Sequence, residues 1–383
     1  MTDTFSRAIV MTPRYGGADG VSAVTRSYVG ALKHLGMPRI DVWTLSERET
    51  EQGAAGDTGQ GAAGRIGPAL RSAGGRRVMF AGYSLRERHV DCRTLVVVQH
   101  VHLLPVALPL LARGARVMVV LHGIEAWARL RPLERAACRR AWKMVAVSAH
   151  TVRRFRDANP CLAALPVDVC APGLPPAVPA HRDGLPGVYA LIVARMHSGE
   201  RYKGHDDLLE IWPAVAANVA GARLVIVGDG DDRPRLEQMA ASLGLTDAIR
   251  FAGAVDDGRL QALYRDAAVF VMPSPNEGFG LVFVEAMRAG VACIAAAGAA
   301  EEIIEHDRTG VVVPARDRAL LERTLVRLLT NREERSRLGA AARLACARFT
   351  DEAFAARLSR LVQSSGAHAA AMQESTSNVD CRY

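Results

Sequence analysis

The chain has 383 residues, with 48 lysines and arginines against 40 aspartates and glutamates and 49% apolar residues, a balance that excludes a disordered or fibrous protein. At roughly 100–200 residues per domain, two domains are expected. The longest apolar stretch, Leu103 to Leu121, is interrupted by Arg113, Gly114 and Arg116, short of the roughly 20 uninterrupted residues that span a bilayer.

The N-terminal MTDTFSRAIVMTPRYGG carries only a short apolar run, which reads as a first strand rather than a signal peptide, and a cytoplasmic location is expected. Further apolar runs follow in order: LVVVQH at 95–100, RVMVVLH at 116–122, MVAVS at 144–148, YALIVA at 189–194, RLVIVG at 223–228, VFVMPS at 269–274 and ACIAA at 292–296. Continuous apolar strands separated by helix-like segments predict parallel sheets covered on both faces. PVDVCAPGLPPAVPAHRDGLPG at 166–187 reads as a linker, giving an N-terminal domain over 1–180 and a second over 181–349. A helix over 350–365, with Thr350 as N-cap and Phe354, Leu358 and Leu361 on one face, is expected to pack on one of the two. Residues 51–64 and 366–383 lack large apolar periodicity and read as disordered.

The seven cysteines are scattered, with no Cys-x-x-Cys pair, so neither a disulfide framework nor a zinc site is expected, and all are read as small buried hydrophobes. Charge is uneven. Between Arg129 and Arg156 stand nine basic residues and one acid, a net +8 that equals the total for the whole chain. A local cluster calls for a local explanation.

The segment most suggestive of chemistry is PSPNEGFGLVFVEAMRAGVACIAAAGAAEEIIEHDRTGVVV, from Pro273 to Val313. A strand ends at Ser274, a loop carries Glu277 to Gly280, and a helix begins near Leu281 with Glu285 one turn inside. Ligands of open α/β sheets bind beyond the carboxyl ends of strands, where a helix N-terminus offers free N–H groups to a phosphate. Both carboxylates can point into one cleft as acceptors for sugar hydroxyls, but for an isolated pair a loop residue near the N-cap and a solvated helix position is the favoured reading. Asp229-x-Asp231 and Gly228-x-Gly230 have the look of a metal pair and a dinucleotide turn, but Arg233 stands where a third glycine is required. They read as polar loop residues.

With its eight-residue spacing, the Glu277/Glu285 pair resembles the E-x7-E signature of retaining glycosyltransferases of family 4. The resemblance extends through GARLVIVGDGDDRPRLEQMAASLGLTDAIRFAGAVDDGRLQALYRDAAVFVMPS at 221–274 and EEIIEHDRTGVVV at 301–313. It implies the GT-B fold, two Rossmann-like αβα domains facing each other across a cleft. It also implies transfer of a sugar from a nucleotide diphosphate with retention at the anomeric carbon. GDP-mannose is favoured as donor over a UDP-sugar, and neither a cofactor nor a metal is expected.

Carried over residue by residue, the resemblance makes Glu277 the holder of donor-sugar hydroxyls and Glu285 the holder of ribose. Phe279, Gly280 and Leu281 then line the donor site. In ARMHSGERYKGHDDLLE at 194–210, Arg195 and Lys203 correspond to the diphosphate-binding cations, and Arg201 is the alternative to either. Gly16 and Gly17, in TPRYGGADG at 12–20, correspond to a glycine loop against the diphosphate; inserted Ala18 and Asp19 leave open which glycine makes the approach. His122, ending VVLH, corresponds to a histidine near the reacting sugars, with Glu125 as its orienter or an acceptor ligand, while His100 and His102 are structural or line the cleft.

Members of this kind often assemble exopolysaccharide or lipopolysaccharide on polyprenyl-diphosphate-linked or oligosaccharide acceptors. Arg139, Arg140 and Lys143 then become a patch for an anionic membrane or acceptor, placing the protein peripherally on the inner face of the cell membrane. Nucleic acid is not an expected partner, since few aromatics interleave the cations. A GT-B-shaped binding or regulatory protein without turnover is the alternative from another class.

Overall fold

In the computed structural model, residues 5–17, 19–47, 68–181, 185 and 187–363 are described; the expected disordered stretches 51–64 and 366–383 lie outside them. The described residues form two compact units, one within residues 5–147, 151–173 and 351–363, the other within 148–150 and 174–350.

The first unit is built on β1 (Arg7–Thr12), β2 (Ile40–Thr44), β3 (Ala69–Ser72), β4 (Thr94–Val98), β5 (Arg116–Leu121), β6 (Lys143–Ala146) and β7 (Asp168–Val169). All pair in parallel in the order β3-β2-β1-β4-β5-β6-β7. The second contains β8 (Tyr189–Val193), β9 (Arg223–Val227), β10 (Ile249–Gly253), β11 (Val269–Met272), β12 (Ala292–Ala296) and β13 (Gly310–Val313). Its parallel order is β10-β9-β8-β11-β12-β13. Each sheet therefore reverses direction once, between β1 and β4 and between β8 and β11, and loops leaving a switch point are where open α/β sheets bind ligands.

Strand β2 does not show in the apolar pattern because Asp41 interrupts it. In the structure Asp41 is fully buried and accepts from the Arg7 guanidinium at 2.6 Å, with Glu87 completing the group. The pair is kept because removing one partner would strand the other charge. The stretch 166–187 is not wholly linker, since β7 lies inside it and pairs with β6. Four of the described cysteines are buried, but Cys92 and Cys161 are exposed, contrary to the reading of all seven as core residues. Both sit in connecting segments outside the sheet.

The helix Asp351–Gln363 packs against the helix Gly20–His34 of the first unit, with Tyr28 and Phe354 edge to face at 5.0 Å. Among the described residues no helix is long and apolar enough to cross a membrane.

Candidate active site

In the second unit, the functional side chains lie on the loops that leave β8 and β11, the two strands flanking the switch point. After β8 the chain makes a 3-10 turn over Ser198–Lys203 and enters the helix His205–Asn218 through Gly204. Gly204 has φ +89°, and a Cβ there would lie 2.5 Å from the Pro273 ring. Only glycine allows this approach, and it lays the Lys203 loop against the exit of β11. Lys203 Nζ thereby reaches Glu277 Oε1 at 2.7 Å, and the buried Ser274 hydroxyl donates to the same oxygen at 2.6 Å. Lys203 and Glu277 keep only 16% and 11% of their side-chain surface exposed. This is a compensated charge pair held beside the start of the helix Leu281–Ala289, whose N-cap Gly280 offers no side chain to its free amides.

Glu285, one turn inside that helix, accepts from the hydroxyl of the buried Tyr264 at 2.8 Å. Burial raises the Glu285 carboxyl above the usual carboxylate range, and the Tyr264 hydrogen bond opposes that rise. Arg195 is not brought to Lys203 and Glu277; it pairs with Glu200 of its own loop at 2.6 Å. Arg201, the alternative cation, pairs with Asp232 at 3.4 Å, and Asp232 is itself gripped by Arg235. Phe279 is corrected as a donor-lining side chain: its ring is buried edge to face on Phe349 at 5.6 Å, so packing claims it and only its backbone borders the loop.

The two acidic and glycine look-alikes have structural uses. Asp231 accepts from the backbone and hydroxyl of Ser198, and Asp229 accepts from the Gly230 amide. A Cβ on Gly230 would stand 2.0 Å from the Met196 carbonyl oxygen. The glycine permits two loops to touch backbone to backbone. Among the described residues no group of three or more histidine, cysteine, aspartate or glutamate side chains could hold a metal ion.

In the first unit, the loops after β1, β4 and β5 leave neighbouring strands at one edge. His122, directly after β5, has its Nε2 3.0 Å from the Gln99 amide oxygen. Glu125 accepts from the backbone N–H groups of His122 and Gly123 at 2.6 and 3.2 Å, fixing the turn. Burial pushes the His122 imidazole down to about 3, with His100 lowering it further and Asp19 opposing. Asp19 also caps the helix Gly20–His34, so the Gly16–Gly17 loop and His122 belong to one rim. Gly16 spends its amide on Glu47, 2.6 Å away, and a Cβ on Gly17 would meet the Asp19 and Ser22 side chains. His102 pairs with Glu134 at 2.8 Å, and His100 accepts from the His102 amide.

The basic window divides. Arg139 and Arg140 are exposed at the end of the helix Pro132–Arg140, but Lys143 is not part of an exposed patch. It opens β6, lies 94% buried, and reaches Asp168 at 3.5 Å and the Trp142 ring.

Sequence reading missed Ser274, Tyr264, Gln99 and Glu47. Tyr264 and Ser274 stand inside motifs already recognised, one in LYRDA and the other immediately before the Glu277 loop, so a search for hydroxyls flanking the two glutamates would have found them. Nothing in sequence links Gln99 to His122 or Glu47 to Gly16. A further missed feature is the helix Arg77–Arg86, where Val78 is 87% exposed and Leu85 61%, flanked by exposed Arg76, Arg77, Arg86 and Arg88.

Known proteins resemble the chain in sequence and in fold. Residues 188–345 match the family model described as glycosyl transferases group 1. A GDP-mannose-dependent alpha-(1-6)-phosphatidylinositol monomannoside mannosyltransferase of Mycobacterium tuberculosis is 34% identical over 257 residues, 61% of this chain and 65% of that protein. The match thus spans just under two thirds of that relative's length. Among solved structures, Anabaena HepE in complex with UDP and glucose superposes with TM-score 0.74 at 17% identity, covering 93% of this chain and 99% of that one. Sucrose-phosphate synthase from Thermosynechococcus elongatus gives 0.74 at 20%, covering 94% and 98%. The chain has the GT-B fold of two Rossmann-like domains, and residues 188–345 carry the similarity to the glycosyl transferases group 1 model.

Proposed function

We propose that this protein is a retaining, metal-independent mannosyltransferase that moves mannose from GDP-mannose to a hydroxyl of a lipid-linked acceptor at the inner face of the cell membrane. The observation that carries this reading is the Lys203–Glu277 pair, with Ser274 on the same carboxylate, at the start of the helix Leu281–Ala289. Without ligand the two charges satisfy each other. An entering diphosphate competes for Lys203, and the carboxylate so released accepts hydroxyls of the donor sugar. As the glycosidic bond breaks, negative charge grows on the departing diphosphate. Lys203, the helix amides and Arg195, once turned from Glu200, stabilise it where it develops. Glu285, oriented by Tyr264, takes the ribose hydroxyls. No side chain is assigned as a covalent nucleophile; the acceptor hydroxyl attacks on the face the diphosphate leaves, and a diphosphate oxygen takes its proton.

GDP-mannose is preferred to a UDP-sugar because the GDP-mannose-dependent relative shares 34% identity, whereas HepE, crystallised with UDP, shares 17%. Membrane attachment rests on two helices of the first unit, Arg77–Arg86 and Pro132–Arg140, which both pack on the segment Val101–Ala107. They expose Val78, Leu85 and Leu133 among Arg76, Arg77, Arg86, Arg88, Arg139 and Arg140. Apolar side chains interleaved with cations suit an anionic lipid surface, at about 1 kcal/mol per cation near it. An inositol phospholipid and a polyprenyl diphosphate both present such charge.

The test is nucleotide release from GDP-mannose, UDP-glucose, UDP-galactose and UDP-N-acetylglucosamine, each with vesicles holding phosphatidylinositol or a polyprenyl diphosphate sugar. Release from GDP-mannose with mannose appearing in the lipid fraction is expected, and the vesicle type identifies the acceptor. Turnover of UDP-sugars alone would overturn the donor assignment, and no turnover with any of them would favour the binding-protein alternative.

A further inference from the structure

Gln99 is fully buried directly after β4, its N–H donating to Met11 at 2.8 Å and its side-chain oxygen meeting His122 Nε2 at 3.0 Å. With the Gln99 oxygen turned to the ring and its amide nitrogen left without a partner among the described residues, the proton of this contact sits on His122 Nε2 and the neutral ring keeps its lone pair on Nδ1. The backbone of His122 is fixed separately, by Glu125 through the two amides of the turn. Side chain and backbone are thus held by different residues on different loops, more anchoring than a polar strand cap requires.

We propose that Gln99 is a positioning residue that holds His122 as the neutral Nε2–H tautomer. In that state Nδ1 accepts a hydrogen bond from a hydroxyl of the reacting sugars and the ring takes no part in proton transfer. The inference rests on the transferase reading above, which puts His122 near the sugars. Besides Glu125, the titratable groups around the ring are His100, from the loop after β4, and Asp19, from the loop after β1. Their effects oppose, and burial dominates both. A base this weak is neutral throughout the physiological range and is a poor proton acceptor.

The experiment titrates the histidine ring signals by NMR in the wild type and in Gln99→Glu, with His122→Gln assigning the resonance, alongside kcat between pH 4 and 8. A carboxylate at position 99 accepts the same Nε2–H but stabilises the imidazolium, raising the ring's pKa by about 2 units or more. The wild-type ring is expected to stay neutral to below pH 5 with a flat kcat profile. Gln99→Glu is expected to titrate above pH 5 and to lose kcat as the pH falls through that raised pKa, about 10-fold one unit below it, as Nδ1 turns from acceptor into donor. Gln99→Leu, which removes the anchor without adding charge, should lower kcat at every pH equally, and its melting curve reports whether it folds. A wild-type ring that titrates near the ordinary value of about 6.5, or a Gln99→Glu enzyme with the wild-type pH profile, would overturn the proposal. Because the titration needs no turnover, an expected titration with no transfer from any nucleotide sugar overturns the transferase reading and, with it, the role assigned to Nδ1.

Discussion

At the carboxyl edge of the second sheet the cations near the site are held by opposite charge: Lys203 by Glu277, Arg195 by Glu200 and Arg201 by Asp232. The corresponding edge of the first sheet holds its histidine by hydrogen bonds rather than by a cation–carboxylate pair, His122 on Gln99 and two backbone amides on Glu125. That unit turns unpaired cations to its outer surface instead, where Arg76, Arg77, Arg86 and Arg88 have no ion pair among the described residues. A paired rim suits an anionic ligand that must exchange partners with the protein. A rim held by hydrogen bonds suits hydroxyls, and an unpaired exposed face suits a surface of fixed negative charge.

Variants that disturb one kind of region and spare the others test this division. The largest effect is expected from Lys203→Met, which removes the cation that stabilises the leaving diphosphate. A loss of about 10²–10³ in kcat/KM is expected, measured by steady-state nucleotide release, and a loss below about fivefold would break the distinction between an ion-paired rim and one held by hydrogen bonds. Next, Arg77→Gln combined with Arg86→Gln should weaken binding to phosphatidylinositol vesicles about 30-fold, from about 1 kcal/mol per cation. Co-sedimentation reads it, and kcat on a soluble acceptor should be unchanged.

Tyr264→Phe is expected to have the smallest effect, about a tenfold weaker affinity for GDP by calorimetry, one hydrogen bond to a charged group, with kcat retained. Here pH sharpens the comparison. The Glu285 carboxyl is raised by burial, and the Tyr264 hydroxyl opposes the rise. Affinity that depends on the carboxylate is present above its pKa and lost as pH falls through it. Deleting the hydroxyl moves that loss to higher pH, so the wild-type and variant curves should diverge as the buffer is acidified.

The strand pattern was legible because parallel strands covered on both faces must be apolar throughout, as in RAIVMT at 7–12 and RLVIV at 223–227. It failed at Ile40–Thr44, where a buried ion pair replaces apolar surface, at the two-residue β7, and at the short strands Ala69–Ser72, Ile249–Gly253 and Gly310–Val313. Glu277, Glu285 and Lys203 were singled out only through the family resemblance; the structure sets Lys203 against Glu277 and Tyr264 against Glu285. Lys143 was misread because a charge count does not distinguish a strand from a surface, and Arg77–Arg86 escaped notice because acids elsewhere balance its arginines. The partners that orient functional groups, Gln99 for His122 and Glu47 for Gly16, lie 23 and 31 positions away. Only the sheet order brings them together.

The packing of Phe354 on Tyr28 has a consequence for biosynthesis. The first-unit helix Gly20–His34 is covered by a segment that the ribosome makes more than 300 residues later. A nascent chain can complete the sheet from Tyr189 to Val313 while the first unit still exposes Tyr28. The domain that begins the chain is therefore the last to be finished, and a chaperone shielding that helix face would bind before residues 351–363 emerge and leave afterwards.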